Sequence, residues 1–225
     1  MPRSARVDVG NNIYHVINRA NGRMQIFNTP EDYLLFEQLL VEAKELAGMR
    51  ILAYEIMPNH WHLVLYPRKD GDLAEFMHKL SNTHTRKVHA KTGTNGSGHL
   101  YQGRYKSFLV DSDNYVLAVI KYIERNAVRA GLVGRPEDWQ WGSTWRRIHG
   151  TEAQKKLLDQ SPSPLPHDYV SWINTPDKDD DIASIRTSVN KGVPYGRKRW
   201  VDEMVTTHRL ESTLRNPGRP RKEDI

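Results

Sequence analysis

The chain has 225 residues, no cysteine and a formal net charge of +6, with 38% hydrophobic residues and a mean hydropathy of −0.70. That length suits one domain of ordinary size plus an extension, and no apolar run approaches the roughly 20 residues of a membrane span. Without cysteine, disulfides, thiolate catalysis and cysteine-ligated zinc or iron–sulfur sites are excluded, so any metal must be held by nitrogen and oxygen. The start, Met1 to Arg6, is basic but is not followed by the apolar core of a signal peptide, and this predicts a cytoplasmic protein.

In chain order, Asn12 to Asn18 alternates Ile13, His15 and Ile17 against Tyr14 and Val16, a strand pattern that Asn21-Gly22 turns. Thr29-Pro30-Glu31-Asp32 opens a helix by cap and first-turn proline, and Gly48 ends it. Arg50 to Ile56 and His60 to Tyr66 read as two strands joined through Pro58-Asn59, a hairpin. Asp70-Gly71-Asp72 leads into a helix from Leu73 to Ala90, whose apolar side carries Leu73, Phe76, Met77 and Leu80. Lys91 to Gly98 is glycine-rich but lacks the Gly-Lys-Ser/Thr ending of a phosphate-binding loop, so it reads as a flexible connector.

Tyr105 to Val110 makes a fourth strand, and Val116, Val119, Ile120 and Ile123 give a further helix opened by Asp113 as cap. The predicted order is that of an α+β, ferredoxin-like antiparallel sheet with helices on one face, plus one added helix. Trp139, Trp141 and Trp145 read as packing anchors, and Ser161 to Pro166 as a stiff linker. Beyond it, Ile182, Ile185 and Val189 predict one short helix, and Trp200 to Leu210 another. The expected division is a core over 1–150, a linker over 151–180 and a mostly helical basic extension over 181–225.

The chemistry concentrates at His60-Trp61-His62. On a strand, successive side chains point to opposite faces, so both imidazoles share one face while Trp61, Leu63 and Leu65 share the other. Two neutral imidazoles side by side form a divalent-metal half-site; the plainer reading is two polar residues on the solvated face of an edge strand. Downstream, Tyr122 and Asn126 are four apart on a helix, where a phenol and an amide oxygen reach the same point in space. Tyr115, seven residues earlier, is the rival phenol on nearly the same face.

Charge is uneven. From Arg186 to Lys222 ten basic residues face three acidic ones, so the excess sits in the last fifth of the chain. Arg197, Lys198, Arg199, Arg219, Arg221 and Lys222 are the candidate contacts to a phosphate backbone, with a solvated tail as the plainer alternative. The extended Gly218-Arg219-Pro220-Arg221-Lys222 suits a minor groove. Arg104 and Lys106 alternate on the fourth strand as further phosphate contacts, and Arg19, with Arg23, is a weaker candidate. The basic face of the Leu73 to Ala90 helix, including His78, Lys79, Arg86 and Lys87, is read as a surface facing DNA or as an ordinary solvated face.

Over roughly its first 145 residues the chain resembles the REP-associated tyrosine transposases, relatives of the single-tyrosine HUH transposases of the IS200 type. The resemblance rests on Ile51 to Tyr66 with Met57-Pro58-Asn59-His60-Trp61-His62, on Tyr101 to Ser107, and on Lys121 to Val133. One departure is Ala127, which stands where the family commonly has proline and lets the helix run slightly further. The resemblance implies a ferredoxin-like fold and a nucleophilic Tyr122. It also implies a divalent cation, Mg²⁺ or Mn²⁺, on His60, His62 and Asn126, and a single-stranded substrate bearing a palindromic hairpin that is cut through a 5′-phosphotyrosine. Two alternatives stand beside it: a non-catalytic regulator that binds hairpin DNA, and a metal-dependent hydrolase that activates water. Monomer and homodimer are both open.

Overall fold

The computed structural model describes residues 6–96 and 98–215. Four strands, Ile13–Arg19 (β1), Arg50–Met57 (β2), His60–Tyr66 (β3) and Lys106–Val110 (β4), form one antiparallel sheet in the order β2-β3-β1-β4. Two long helices, Pro30–Ala47 (α1) and Asp72–Thr92 (α2), join them as the periodicity predicts. Asp32 accepts from the Thr29 backbone N–H at 2.9 Å, and the chain leaves α1 through Gly48 at φ +59, a left-handed conformation that glycine adopts without strain.

Each face of the sheet carries its own core. On one, Trp61, Leu63 and Leu65 of β3 and Tyr14 and Val16 of β1 pack beneath Phe36, Leu39 and Leu40 of α1 and Phe76, Met77 and Leu80 of α2. On the other, Val64, Phe108 and Val110 meet Val116, Val119, Ile120 and Ile123 of the next helix, Asn114–Glu124 (α3). The placement of helices on one face thus holds for α1 and α2, and α3 covers the opposite face. Near Leu52 the pairing of β2 with β3 shifts by one residue, so that Leu52 and Ala53 both turn toward α3.

At Arg125 the helix breaks, with φ −100 and ψ 8, before a short second piece, Asn126–Arg129 (α4). The chain does not run on in one helix through Ala127. Asp113 stands at the head of α3 but its side chain caps nothing; its φ is +62 and its N–H donates to Ser163 Oγ at 2.7 Å.

The remaining elements wrap this core. Ser143–His149 (α5) follows Trp139 and Trp141, which close the outer edge of β2: Trp139 Nε1 donates to the Ile56 carbonyl at 3.0 Å and Ile56 N to the Trp141 carbonyl at 2.9 Å. A side chain at Gly142 would meet the Glu55 carboxyl, which would have to move aside.

The stretch 151–180, with helices Glu152–Lys155 (α6) and Tyr169–Asn174 (α7), lies against the core instead of bridging open space. Asp159 exchanges hydrogen bonds with Ile51, and the Tyr169 hydroxyl donates to buried Glu124 at 2.8 Å. Beyond it come Asp179–Lys191 (α8), Lys198–Thr207 (α9) and Glu211–Leu214 (α10). Tyr195 pairs alongside β4, so both edges of the sheet are covered. No helix among the described residues is long and apolar enough to cross a membrane.

Candidate active site

Register brings the histidines to the middle of the sheet. His62 lies opposite Ile17 on β1 and Glu55 on β2, and His60 opposite Arg19 and Met57. Because period-2 alternation turns both imidazoles to the α3 face, they meet the end of α3, where Tyr122 stands. The Tyr122 ring is edge-on to His62 with centroids 6.3 Å apart, and the two imidazoles are edge to face at 5.1 Å.

These residues wall a cavity of about 360 Å³ together with Arg19, Asn126, Arg129, Arg186 and Asn190. Arg129 lies with its guanidinium 4.3 Å from the Tyr122 ring centroid, donates to Asn126 Oδ1 at 2.9 Å and also to the Tyr122 carbonyl. Its other arm, with Arg125, pairs with Asp177 at 3.0 Å each. Asn126 Nδ2 and Arg19 Nε are buried without a hydrogen-bond partner. Tyr115 is elsewhere: it is edge-on to Tyr195 and lines a neighbouring cavity with Lys121, Trp172 and Asp181.

Each of the two imidazoles has one ring nitrogen engaged and one open. His60 Nδ1 is 2.6 Å from Asn59 Oδ1 and His62 Nδ1 is 2.8 Å from His15 Nε2, which leaves each Nε2 without a partner among the described residues. Burial, then the nearby Arg19, lowers His60 to about 4; burial, then His60, His15 and the two arginines, holds His62 well below the usual imidazole value. Neutral imidazoles keep a lone pair for a cation.

No group of three His, Cys, Asp or Glu side chains gathers among the described residues, so an ion here would rest on two imidazoles and an amide oxygen. Asn126 Oδ1 already accepts from Arg129, yet an amide oxygen has a second lone pair, so the donor set fits a divalent cation.

The predicted DNA contacts divide. Arg19 lines the cavity itself. Arg104 and Lys106 are exposed and share a second cleft with Arg6 and Lys191; this cleft and the histidine cavity have Val189 and Asn190 of α8 in common. Arg104 precedes β4 instead of alternating along it, since the strand begins at Lys106.

Arg197 forks onto Asp111 at 2.8 and 3.1 Å, so its charge is already matched, while Lys198 and Arg199 stand exposed on α9. Arg219, Arg221 and Lys222 lie outside the described residues. Sequence reasoning missed Arg129, Arg186 and His15. Arg129 left a signal of position, being seven residues after Tyr122 and three after Asn126, whereas Arg186 is marked only by the basic run that it opens.

The sequence profile of the family described as "Transposase IS200 like" matches residues 8–126, from before β1 through Tyr122 to Asn126. The chain belongs to this family. No curated protein matches. Among solved structures, that of a REP-associated tyrosine transposase bound to a REP hairpin is similar at 17% identity and a TM-score of 0.54, over 71% of this chain and 89% of that one. That likeness establishes the shared α+β fold. A crystal structure from Deinococcus radiodurans R1, of a protein assigned as a transposase, gives 22% identity and a TM-score of 0.39, over 55% of this chain and 97% of that one, too low to bear on the fold. The family's matched region ends at Asn126, so Arg129 and Arg186 add to the cavity from beyond it, and Asp177 holds Arg129 from beyond it as well.

Proposed function

We propose that this transposase nicks and rejoins single-stranded DNA beside a hairpin of a repeated extragenic palindrome, with Tyr122 as nucleophile and Mg²⁺ or Mn²⁺ held by His60, His62 and Asn126. The observation that carries the reading is the meeting, in one arginine-walled cavity, of a phenol with two imidazoles whose Nε2 atoms are open. When bound, the cation supplies a Lewis acid that draws charge from the nonbridging oxygens of the scissile phosphate.

The chain's own groups do the rest. Tyr122 Oη attacks phosphorus; the O–P bond forms as the P–O3′ bond breaks, the phenol proton leaves and the departing 3′ oxygen takes one up. One phosphoester replaces another, so rejoining by the reverse attack needs no nucleotide cofactor. A phenol is a weak nucleophile on its own, and the Arg129 guanidinium over the Tyr122 ring and against its carbonyl fixes the ring in place. Arg19 and Arg186 are placed to neutralise the strand, and the cleft holding Arg104 and Lys106 continues the basic path along α8. The 5′ polarity comes from the family resemblance.

Single-stranded hairpin DNA from around the gene, labelled at either end and incubated with Mn²⁺, tests the reading. The 3′-labelled fragment is expected to migrate with the protein under denaturing conditions and the 5′-labelled one to be released. Cleavage with both fragments free would establish a hydrolase, and binding without cleavage a regulator.

A further inference from the structure

We infer that His15 is a positioning residue for the cation site: from the neighbouring strand β1, on the same face of the sheet, it accepts the Nδ1 proton of His62 and thereby turns the His62 Nε2 lone pair into the cavity. The inference rests on the metal reading above and concerns how one of its ligands is prepared.

The two imidazole ligands are held by unlike partners. Asn59 Oδ1 can only accept, so the contact at 2.6 Å fixes the proton of His60 on Nδ1 and frees Nε2. His62 instead faces another imidazole, His15, across 2.8 Å. His15 is fully buried between β3 and the Phe108 ring, 4.8 Å away by centroids, and its Nδ1 has no partner. Burial of this kind keeps an imidazole neutral, with one proton on one nitrogen.

A neutral pair admits two arrangements. In the first, His15 Nε2 donates; the His62 proton then sits on Nε2, pointing into the cavity, and no cation binds there. In the second, His62 Nδ1 donates and its Nε2 is a lone pair, while the remaining His15 proton lies on the orphaned Nδ1. A cation in the cavity selects the second arrangement, in which His15 accepts and the His62 Nε2 lone pair faces the ion. His15 is therefore a proton-ordering partner and more than a filler between His62 and Phe108.

The test is Mn²⁺ affinity, followed by electron paramagnetic resonance, in the whole protein and in His15→Phe and His15→Gln. Phenylalanine keeps a ring but accepts nothing; the glutamine Oε1 can accept. Mn²⁺ binding is expected to weaken about 10- to 100-fold in His15→Phe and to be largely recovered in His15→Gln. Equal affinity of His15→Phe and wild type would overturn the inference, as would equal losses in both variants, which would mark a packing role.

Long-range ¹⁵N spectra of the wild type with Zn²⁺ as a diamagnetic probe give an answer that needs no variant. A His62 proton on Nδ1 in the loaded protein supports the inference, and a proton on Nε2 contradicts it. Wild type that binds neither ion would sink the metal reading, and this inference with it.

Discussion

The Arg129 guanidinium rests 4.3 Å from the centre of the Tyr122 ring while one of its nitrogens donates to Asn126 Oδ1 at 2.9 Å. One cation thus touches both the phenol and the amide that the proposed tyrosine chemistry uses. Its position is set from outside the helix, since Asp177, 7% exposed, holds both Arg125 and Arg129 at 3.0 Å.

Arg129→Ala should therefore slow single-turnover cleavage by about 10²-fold, the scale on which a misplaced reacting group slows a reaction. Hairpin binding by fluorescence anisotropy should change little. If binding and cleavage fall in parallel, Arg129 serves the DNA backbone and not the nucleophile.

Mn²⁺ binding should tolerate acid better than an ordinary histidine site. Burial and then Arg19 keep His60 at about 4, and His62 is held well below 6.5, so both stay unprotonated where free imidazole is half charged. Affinity should be level from pH 8 to 6 and fall only near or below about pH 5. The same depression makes stability decline as pH drops below 6.5, because the unfolded imidazoles take up protons that the folded ones refuse. A tenfold loss of Mn²⁺ affinity between pH 7 and 6 would contradict this.

Glu55 carries the opposite sign. Burial, then the neighbouring Glu124, raises its carboxyl well above 4.5. Its contribution to stability is complete below 4.5, where both states are protonated, and is lost as pH rises through the folded value, since the unfolded carboxyl has already ionised. Glu55→Gln removes that dependence. Thermal melts should show the variant gaining on wild type from pH 5 to 8 and losing the advantage at pH 4; a constant difference across that range would show that the carboxyl is ionised in the folded protein.

Arg197 and its neighbours should separate by assay. Burial raises the Asp111 carboxyl, but the bonds from Arg197 and the backbone outweigh it and leave it lowered, so Arg197→Ala should reduce the melting temperature. Lys198→Ala with Arg199→Ala should leave melting unchanged and reduce the slope of log affinity against log salt by about 1.5. An unaltered slope would place the DNA away from α9.

The strands and the two long helices were legible because their signals are local: period-2 alternation, the Thr29-Pro30 start, Gly48 and the Pro58-Asn59 turn. What was not legible depends on distant partners. The shift at Leu52 and the placement of α3 across the sheet follow from how β2 and α3 meet, and the break at Arg125 accompanies its pairing with Asp177, 52 residues away. Stretch 151–180 reads as a linker from its prolines, yet Asp159 and Tyr169 tie it down.

Within the site, His60, His62, Tyr122 and Asn126 could be proposed from spacing together with a resemblance. His15 could not, although it sits in the Ile13, His15, Ile17 alternation, because only the pairing of β1 with β3 brings it beside His62. Arg186 lines the cavity, and Asp177 holds Arg129, from beyond the matched region; the basic run that Arg186 opens shows its charge but not its place.

The most direct measurement is the covalent adduct itself: wild type, Tyr122→Phe and Tyr115→Phe with labelled hairpin DNA and Mn²⁺, resolved on a denaturing protein gel. The expected result is an adduct in wild type and Tyr115→Phe and none in Tyr122→Phe. An adduct that survives in Tyr122→Phe and vanishes in Tyr115→Phe would move the nucleophile to the cavity beside Trp172 and Asp181, and would contradict the role assigned to the cavity holding His60 and His62.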